Sequence, residues 1–168
     1  LADLRGELRW HLIGPLQSNK AREVATHFDW VHAIDRMKLA QRLSDLRPPE
    51  LAPPQVCLQV NISGEDSKSG VAPEAALALA HEVAALPRLK LRGLMAIPEP
   101  AGDLAAQRAP HRALRKLLEA MNAEGLALDT LSIGMSADLE AAIAEGATCV
   151  RIGTAIFGAR PAKSAPTS

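Results

Sequence analysis

Ser132-Ile133-Gly134-Met135-Ser136-Ala137-Asp138 reads as an apolar strand that ends in a small-residue turn and opens a helix. Val150-Arg151-Ile152-Gly153-Thr154-Ala155-Ile156-Phe157-Gly158 repeats that pattern. Backbone N–H groups at such helix starts point outward and favour an anion. Ser132, Ser136 and Thr154 add hydroxyl donors, and Gly153 permits close backbone approach. As the last two strands of a parallel barrel, these segments would lie where that fold most often binds phosphate. The plainer alternative makes Gly134 and Gly153 turn glycines and Ser136 a helix cap. Two such turns on successive strands favour the phosphate cup.

Outward from these segments, β-branched apolar runs recur at 8–13, 30–34, 56–62, 91–97, 131–133 and 149–152. They are continuously apolar, as suits strands covered on both faces. Helical stretches fill the intervals. One ends before Pro48 and Pro49, and Gln55 restarts the chain after Pro53 and Pro54. Pro73 and Glu74 suit a first helical turn, with Leu77, Ala80, Val83 and Ala84 on one face and Pro87 closing the segment. A helix over 112–124 carries Leu114, Leu117, Leu118 and Met121 on one stripe, and Gly125 fits its C-terminal cap. Ser136 is placed to cap the next helix, with Asp138 and Glu140 near its positive end and Gly146 past its end. Regular β-then-α alternation leaves two architectures, a doubly wound open sheet or a barrel. Pattern alone supports them equally. Six strands suffice for the sheet, whereas a barrel needs eight and about 250 residues. Two further βα units of roughly 30 residues each would make up the difference.

The 168 residues are enough for one domain with a sizeable core. Lys plus Arg and Asp plus Glu are equal at 19 each, so no charge surplus points to nucleic acid or an anionic membrane. Aromatic content of 2 %, with no Tyr, argues against a base-stacking surface. No apolar run approaches the roughly 20 residues of a membrane span, and no basic-then-apolar leader is seen, so a cytoplasmic protein is expected. Cys57 and Cys149 sit in apolar runs and read as buried, reduced thiols. Together with His11, His27, His32, His81 and His111 they show no metal-ligand spacing, so no metal site is expected. Arg151, inside an apolar strand, must find a partner, either a buried carboxylate or a ligand atom. The loops 14–20 and 61–70 follow strands and fit a functional rim, but neither has P-loop spacing. No Ser–His–Asp set or G-x-S-x-G elbow appears.

Trp10-His11-Leu12-Ile13-Gly14-Pro15-Leu16-Gln17-Ser18-Asn19-Lys20 resembles the signature of the pyridoxal phosphate (PLP) homeostasis proteins, the alanine-racemase-like, YggS-type family. Ser67-Lys68-Ser69-Gly70, Leu91-Arg92-Gly93-Leu94-Met95-Ala96-Ile97-Pro98, 132–138 and 150–158 match the same family in the same order. The resemblance covers about 8–160. It implies an α/β fold, a (β/α)₈ TIM barrel of the alanine racemase N-terminal type, with PLP at the C-terminal rim. The chain opens at Leu1 rather than Met, and the expectation is a barrel domain over 1–160 that lacks about the first two βα units, holding strands 3 to 8, with a flexible tail at 161–168. By motif, Ser132, Met135 (through its backbone), Ser136, Gly153 and Thr154 would contact the phosphate, and Arg151 would face the pyridine nitrogen. An arginine there keeps that nitrogen unprotonated and weakens the ring as an electron sink.

The family's Schiff-base lysine belongs to the first barrel strand, upstream of Leu1 here, so no catalytic residue is assigned. Lys20 and Lys68 read as solvated loop charges. The function implied is intracellular PLP (vitamin B6) homeostasis by a carrier or regulator without turnover, with PLP-dependent apoenzymes as partners. The alternatives are an amino-acid racemase-like PLP enzyme and a phosphate-sugar barrel enzyme. Alanine racemase takes a catalytic tyrosine from a second domain, and this chain has no Tyr. A barrel short of two strands exposes sheet edges, so the polypeptide alone is expected to be unstable, to aggregate or to recruit another chain.

Overall fold

The structure, a computed structural model, describes residues 7–64 and 69–158. The expected tail at 161–168 and Lys68 lie outside the described residues. Six strands form one all-parallel sheet in strictly sequential order: β1 (His11–Leu12), β2 (Trp30–Ile34), β3 (Gln55–Gln59), β4 (Lys90–Met95), β5 (Thr130–Met135) and β6 (Cys149–Arg151). Each falls within or against an apolar run predicted from sequence. Between and after them lie α1 (Ala21–His27), α2 (Met37–Leu46), α3 (Pro73–Ala84), α4 (Leu104–Ala123), α5 (Leu139–Ala144) and α6 (Thr154–Phe157). A single turn of 3₁₀ helix, Ser18–Lys20, precedes α1.

Sequential order decides the architecture. Every crossover advances in the same direction and, being right-handed, sets its helix on the same side of the sheet. A doubly wound sheet instead reverses at a switch point. Curvature supplies the second proof. Laid flat, β1 and β6 would stand about 24 Å apart, five strand spacings. Yet ligating atoms of His11 on β1 and Cys149 on β6 lie within 4.8 Å of each other. The sheet is therefore curled into a half-barrel, with the helices outside and side chains meeting within.

Both faces are buried. Val31, Ile34, Val56, Leu58, Leu94 and Ile133 point outward into the main core against Leu39, Leu43, Val83, Leu114 and Met121. Trp30, Ala33, Cys57 and Met95 form a smaller inner cluster. The outer assignment of both Val31 and Ile34 fits the irregular register between them. Gly93 lets β4 approach β5, since a Cβ there would sit 1.8 Å from the Thr130 carbonyl oxygen.

Three local expectations need correction. The buried stripe of α3 is Ala76, Leu79, Ala80 and Val83, an i, i+3, i+4, i+7 set, while Leu77 is partly buried and Ala84 is exposed. Helix α4 starts at Leu104 rather than 112 and runs through Pro110. Asp103 caps it by accepting from the Ala106 N–H at 2.9 Å, and buried His111 extends the stripe below Leu114. Proline reads locally as a boundary, but packing of the flanking turns carries the helix past it. The residue preceding α5 is Asp138, not Ser136, and no side chain caps that helix. Gly125 and Gly146 do follow their helices with φ of +95° and +89°.

Candidate functional site

The strand C-termini carry a cavity of about 710 Å³ whose wall includes His11, His32, Ile97, Met135, Arg151 and Gly153. A second pocket of about 290 Å³, sharing Met135, is lined by Gln107, Ser136, Asp138 and Thr154 among others. Five of the six cofactor residues expected from sequence thus border one of two pockets on the same rim. Ser132, the sixth, is fully buried.

Ser132 is the hub beneath the larger cavity. Its hydroxyl lies 2.8 Å from His32 Nδ1 and accepts from Arg151 Nη1 at 3.0 Å. Arg151 Nη1 also donates to the Ser132 carbonyl at 2.7 Å, and Nη2 to the Ala96 carbonyl at 2.8 Å. The guanidinium therefore ties the ends of β4, β5 and β6 together. The expected buried partner proves to be carbonyl and hydroxyl oxygen rather than a carboxylate. Its charge is not neutralised by these bonds, and burial lowers its pKa.

The β5–α5 turn is built from the sequence upward. Gly134 adopts a φ of +91°, and a Cβ on it would meet the Ala142 methyl at 2.5 Å. The Met135 N–H then donates to Asp138 Oδ1 at 2.6 Å. Asp138 Oδ2 lies 2.9 Å from Nε2 of buried His111. The Met135 backbone, expected to face phosphate, is thus committed within the turn. Ser136 and Thr154 remain exposed at the pocket edge.

His11 and His32 escape a reading of the sequence by spacing. His11 Nδ1 is 2.9 Å from His32 Nε2 although the residues are 21 positions apart, and Ser132 lies another 100 positions along from His32. The His11 ring stacks on Trp30 at 5.3 Å, and Arg92 covers Trp30 at 5.4 Å. Arg92 is itself held by Asp129 and Gln55. Burial, then the neighbouring His11 and Arg151, push His32 down to about 4. Burial also lowers His11, against the pull of Asp29. The only available signal was histidine in an apolar strand, which locally marks a core residue as readily as a site.

Comparison with known proteins defines the class. The family profile "Alanine racemase, N-terminal domain" matches residues 2–161. Alanine racemase from Clostridium difficile shares the fold, with a TM-score of 0.74 at 15 % identity over 96 % of this chain and 43 % of that one. Within that class, the chain belongs to the family of pyridoxal phosphate homeostasis proteins. It is 65 % identical to the protein of that name from Pseudomonas aeruginosa, over 95 % of this chain and 67 % of the relative. It is 56 % identical to that of Escherichia coli, over 91 % and 65 %. PipY of Synechococcus elongatus, solved with PLP bound, superposes with a TM-score of 0.82 at 36 % identity, over 94 % of this chain and 74 % of PipY. The chain spans about two thirds of the length of the curated relatives it matches.

Proposed function

We propose that this chain forms the phosphate- and ring-binding wall of a PLP carrier that serves intracellular vitamin B6 homeostasis without turnover. The observation that carries this is the rim itself. Arg151, a donor-only side chain, faces a cavity of about 710 Å³ beside a pocket edged by the hydroxyls of Ser136 and Thr154. That donor set fits an anionic, ring-bearing phosphate ester. When bound, PLP supplies an aldehyde and an electron-accepting ring.

The chain's own residues would do the following. Ser136, Thr154 and the Gly153 backbone take the phosphate. Ser132 holds Arg151 in place, and Met135 shapes the wall between the two pockets. Arg151 donates toward the pyridine nitrogen and so keeps it unprotonated, which suits storage better than carbanion chemistry. Among the described residues no lysine borders either pocket, and Lys20 is paired with Glu23 at 3.8 Å on the exposed 3₁₀ turn. The reading for this chain is non-covalent retention through these donors. The relatives' name supports a homeostatic role; PLP-dependent apoenzymes in the cytoplasm are the recipients this reading proposes. No helix among the described residues is long and apolar enough to cross a membrane.

Equilibrium dialysis against PLP, pyridoxal and inorganic phosphate, followed by borohydride reduction and peptide mapping, tests the reading. PLP should be retained over both comparators, with no lysine specifically labelled. Specific labelling of Lys20 would overturn the non-covalent mode. Retention of phosphorylated sugars in place of PLP would transfer the site to a phosphate-sugar barrel, and a racemising activity would make it an enzyme.

A further inference from the structure

We propose that His11, His32 and Cys149 form a binding site for a divalent transition metal, zinc in the first instance, on the wall of the rim cavity. The three side chains come from β1, β2 and β6, and their ligating atoms all lie within 4.8 Å of one another. Two imidazoles and one thiolate are the ligand set that borderline-soft cations such as Zn²⁺ or Co²⁺ select. All three residues border the same cavity, so the fourth coordination position opens onto it. This is the layout of a site that keeps one place for water or an anionic ligand.

The imidazole pair needs only a small adjustment. In a tetrahedral site with metal–nitrogen bonds of about 2.0–2.1 Å, two ligating nitrogens stand about 3.3 Å apart. His11 Nδ1 and His32 Nε2 are 2.9 Å apart, sharing one hydrogen between them. Opening that pair by a few tenths of an ångström, with the Cys149 sulfur drawn in from within 4.8 Å by side-chain rotation, admits the ion. Ser132 already supplies the outer support. Its hydroxyl, 2.8 Å from His32 Nδ1, can accept the Nδ1–H and so leave the Nε2 lone pair to the metal. Stacking on Trp30 fixes the plane of His11.

Binding converts the Cys149 thiol to a metal thiolate and releases its proton to solvent. The resulting negative sulfur offsets part of the dication's charge beside Arg151. Two of the guanidinium nitrogens already donate to the Ser132 and Ala96 oxygens. Cys57, fully buried on β3 and pushed well above the usual thiol range by burial, is no competing ligand.

Titration of the chain with Co²⁺ tests the site independently of PLP retention. One equivalent should produce a thiolate-to-cobalt charge-transfer band together with the visible bands of a tetrahedral ion. Cys149→Ser should abolish the charge-transfer band, and His11→Gln, which changes an exposed residue, should weaken binding at least about tenfold. His27→Gln and His81→Gln should leave the titration unchanged. Zn²⁺ should slow alkylation of Cys149 in the intact chain and raise its melting midpoint, the latter effect being lost in Cys149→Ser. Absence of the charge-transfer band, or cobalt binding that Cys149→Ser and His11→Gln do not alter, would overturn the proposal even if PLP is retained.

Discussion

Arg151 on β6 donates from one nitrogen to both oxygens of Ser132 on β5, the carbonyl at 2.7 Å and the hydroxyl at 3.0 Å. The same hydroxyl meets His32, so one buried serine couples the cavity's guanidinium to its histidine pair. Ser132→Ala should destabilise the chain by about 1–3 kcal/mol, because His32 Nδ1 is then left buried without a partner. Urea denaturation at pH 7 measures this. An unchanged midpoint would mean the hub contributes nothing to the fold.

Acidification should act on His32 first. Its pKa falls from 6.5 to about 4 on folding, so between those values the unfolded chain binds a proton that the folded chain refuses. Stability is therefore complete above pH 6.5 and declines as pH falls toward 4, by at most about 3 kcal/mol, with no further loss below. Denaturant midpoints for the wild type and His32→Gln across this range should converge as pH falls.

The clamp between α4 and α5 responds in a lower window. Buried Glu145 accepts from Arg108 Nε at 2.7 Å, from Arg112 Nη2 at 2.9 Å and from Arg115 Nη2 at 3.3 Å. These bonds, Arg112 foremost, hold its pKa down to about 2 against the pull of desolvation. A depressed carboxylate pKa contributes stability that is present above 4.5 and lost as pH falls through 2. Glu145→Gln should lower the melting midpoint at pH 7 by more than it does near pH 2. Equal shifts at both would refute the clamp.

Gly93 is required by the closeness of two backbones. A methyl at this position would lie 1.8 Å from the Thr130 carbonyl oxygen, so β4 and β5 must separate to admit it. Gly93→Ala should cost upward of about 3 kcal/mol, read as lost soluble yield or a collapsed melting transition. Gly102→Ala, with nothing within 4 Å of the added methyl, is the matched control and should be near neutral.

Ser136 and Thr154 are exposed and make no contribution to the core. Replacing each with alanine should weaken PLP retention by about ten- to a hundredfold per charged hydrogen bond lost, while leaving the melting midpoint in place. Dialysis and thermal melts on the same samples separate the two effects. Undiminished retention in the double variant would remove the phosphate from this pocket.

Position of the strands was legible in the sequence because burial on both faces leaves continuous apolar runs, and β1 to β6 fall on or against all six. Gly125 and Gly146 were legible for a similar local reason, since a helix end in the left-handed region selects glycine. The strand-end pattern around Ser136, Arg151, Gly153 and Thr154 likewise marked the rim. What remained hidden was whatever depends on closure. Apolar periodicity is the same for an open sheet and a barrel, and only the sum of twists over successive pairings brought His11 against Cys149. The His11–His32–Ser132–Arg151 chain has no local spacing to read, because its members come from four strands and meet only once the sheet has curled. Helix α4 begins at Leu104, ahead of the 112 expected from its apolar stripe, because packing of the flanking turns carries the helix through Pro110, a strong local breaker. Sequence by itself determined which segments are strands, which turns are tight and that Ser136, Arg151 and Thr154 stand at strand ends. Tertiary structure alone decided that the sheet curls and which buried polar groups face one another inside it.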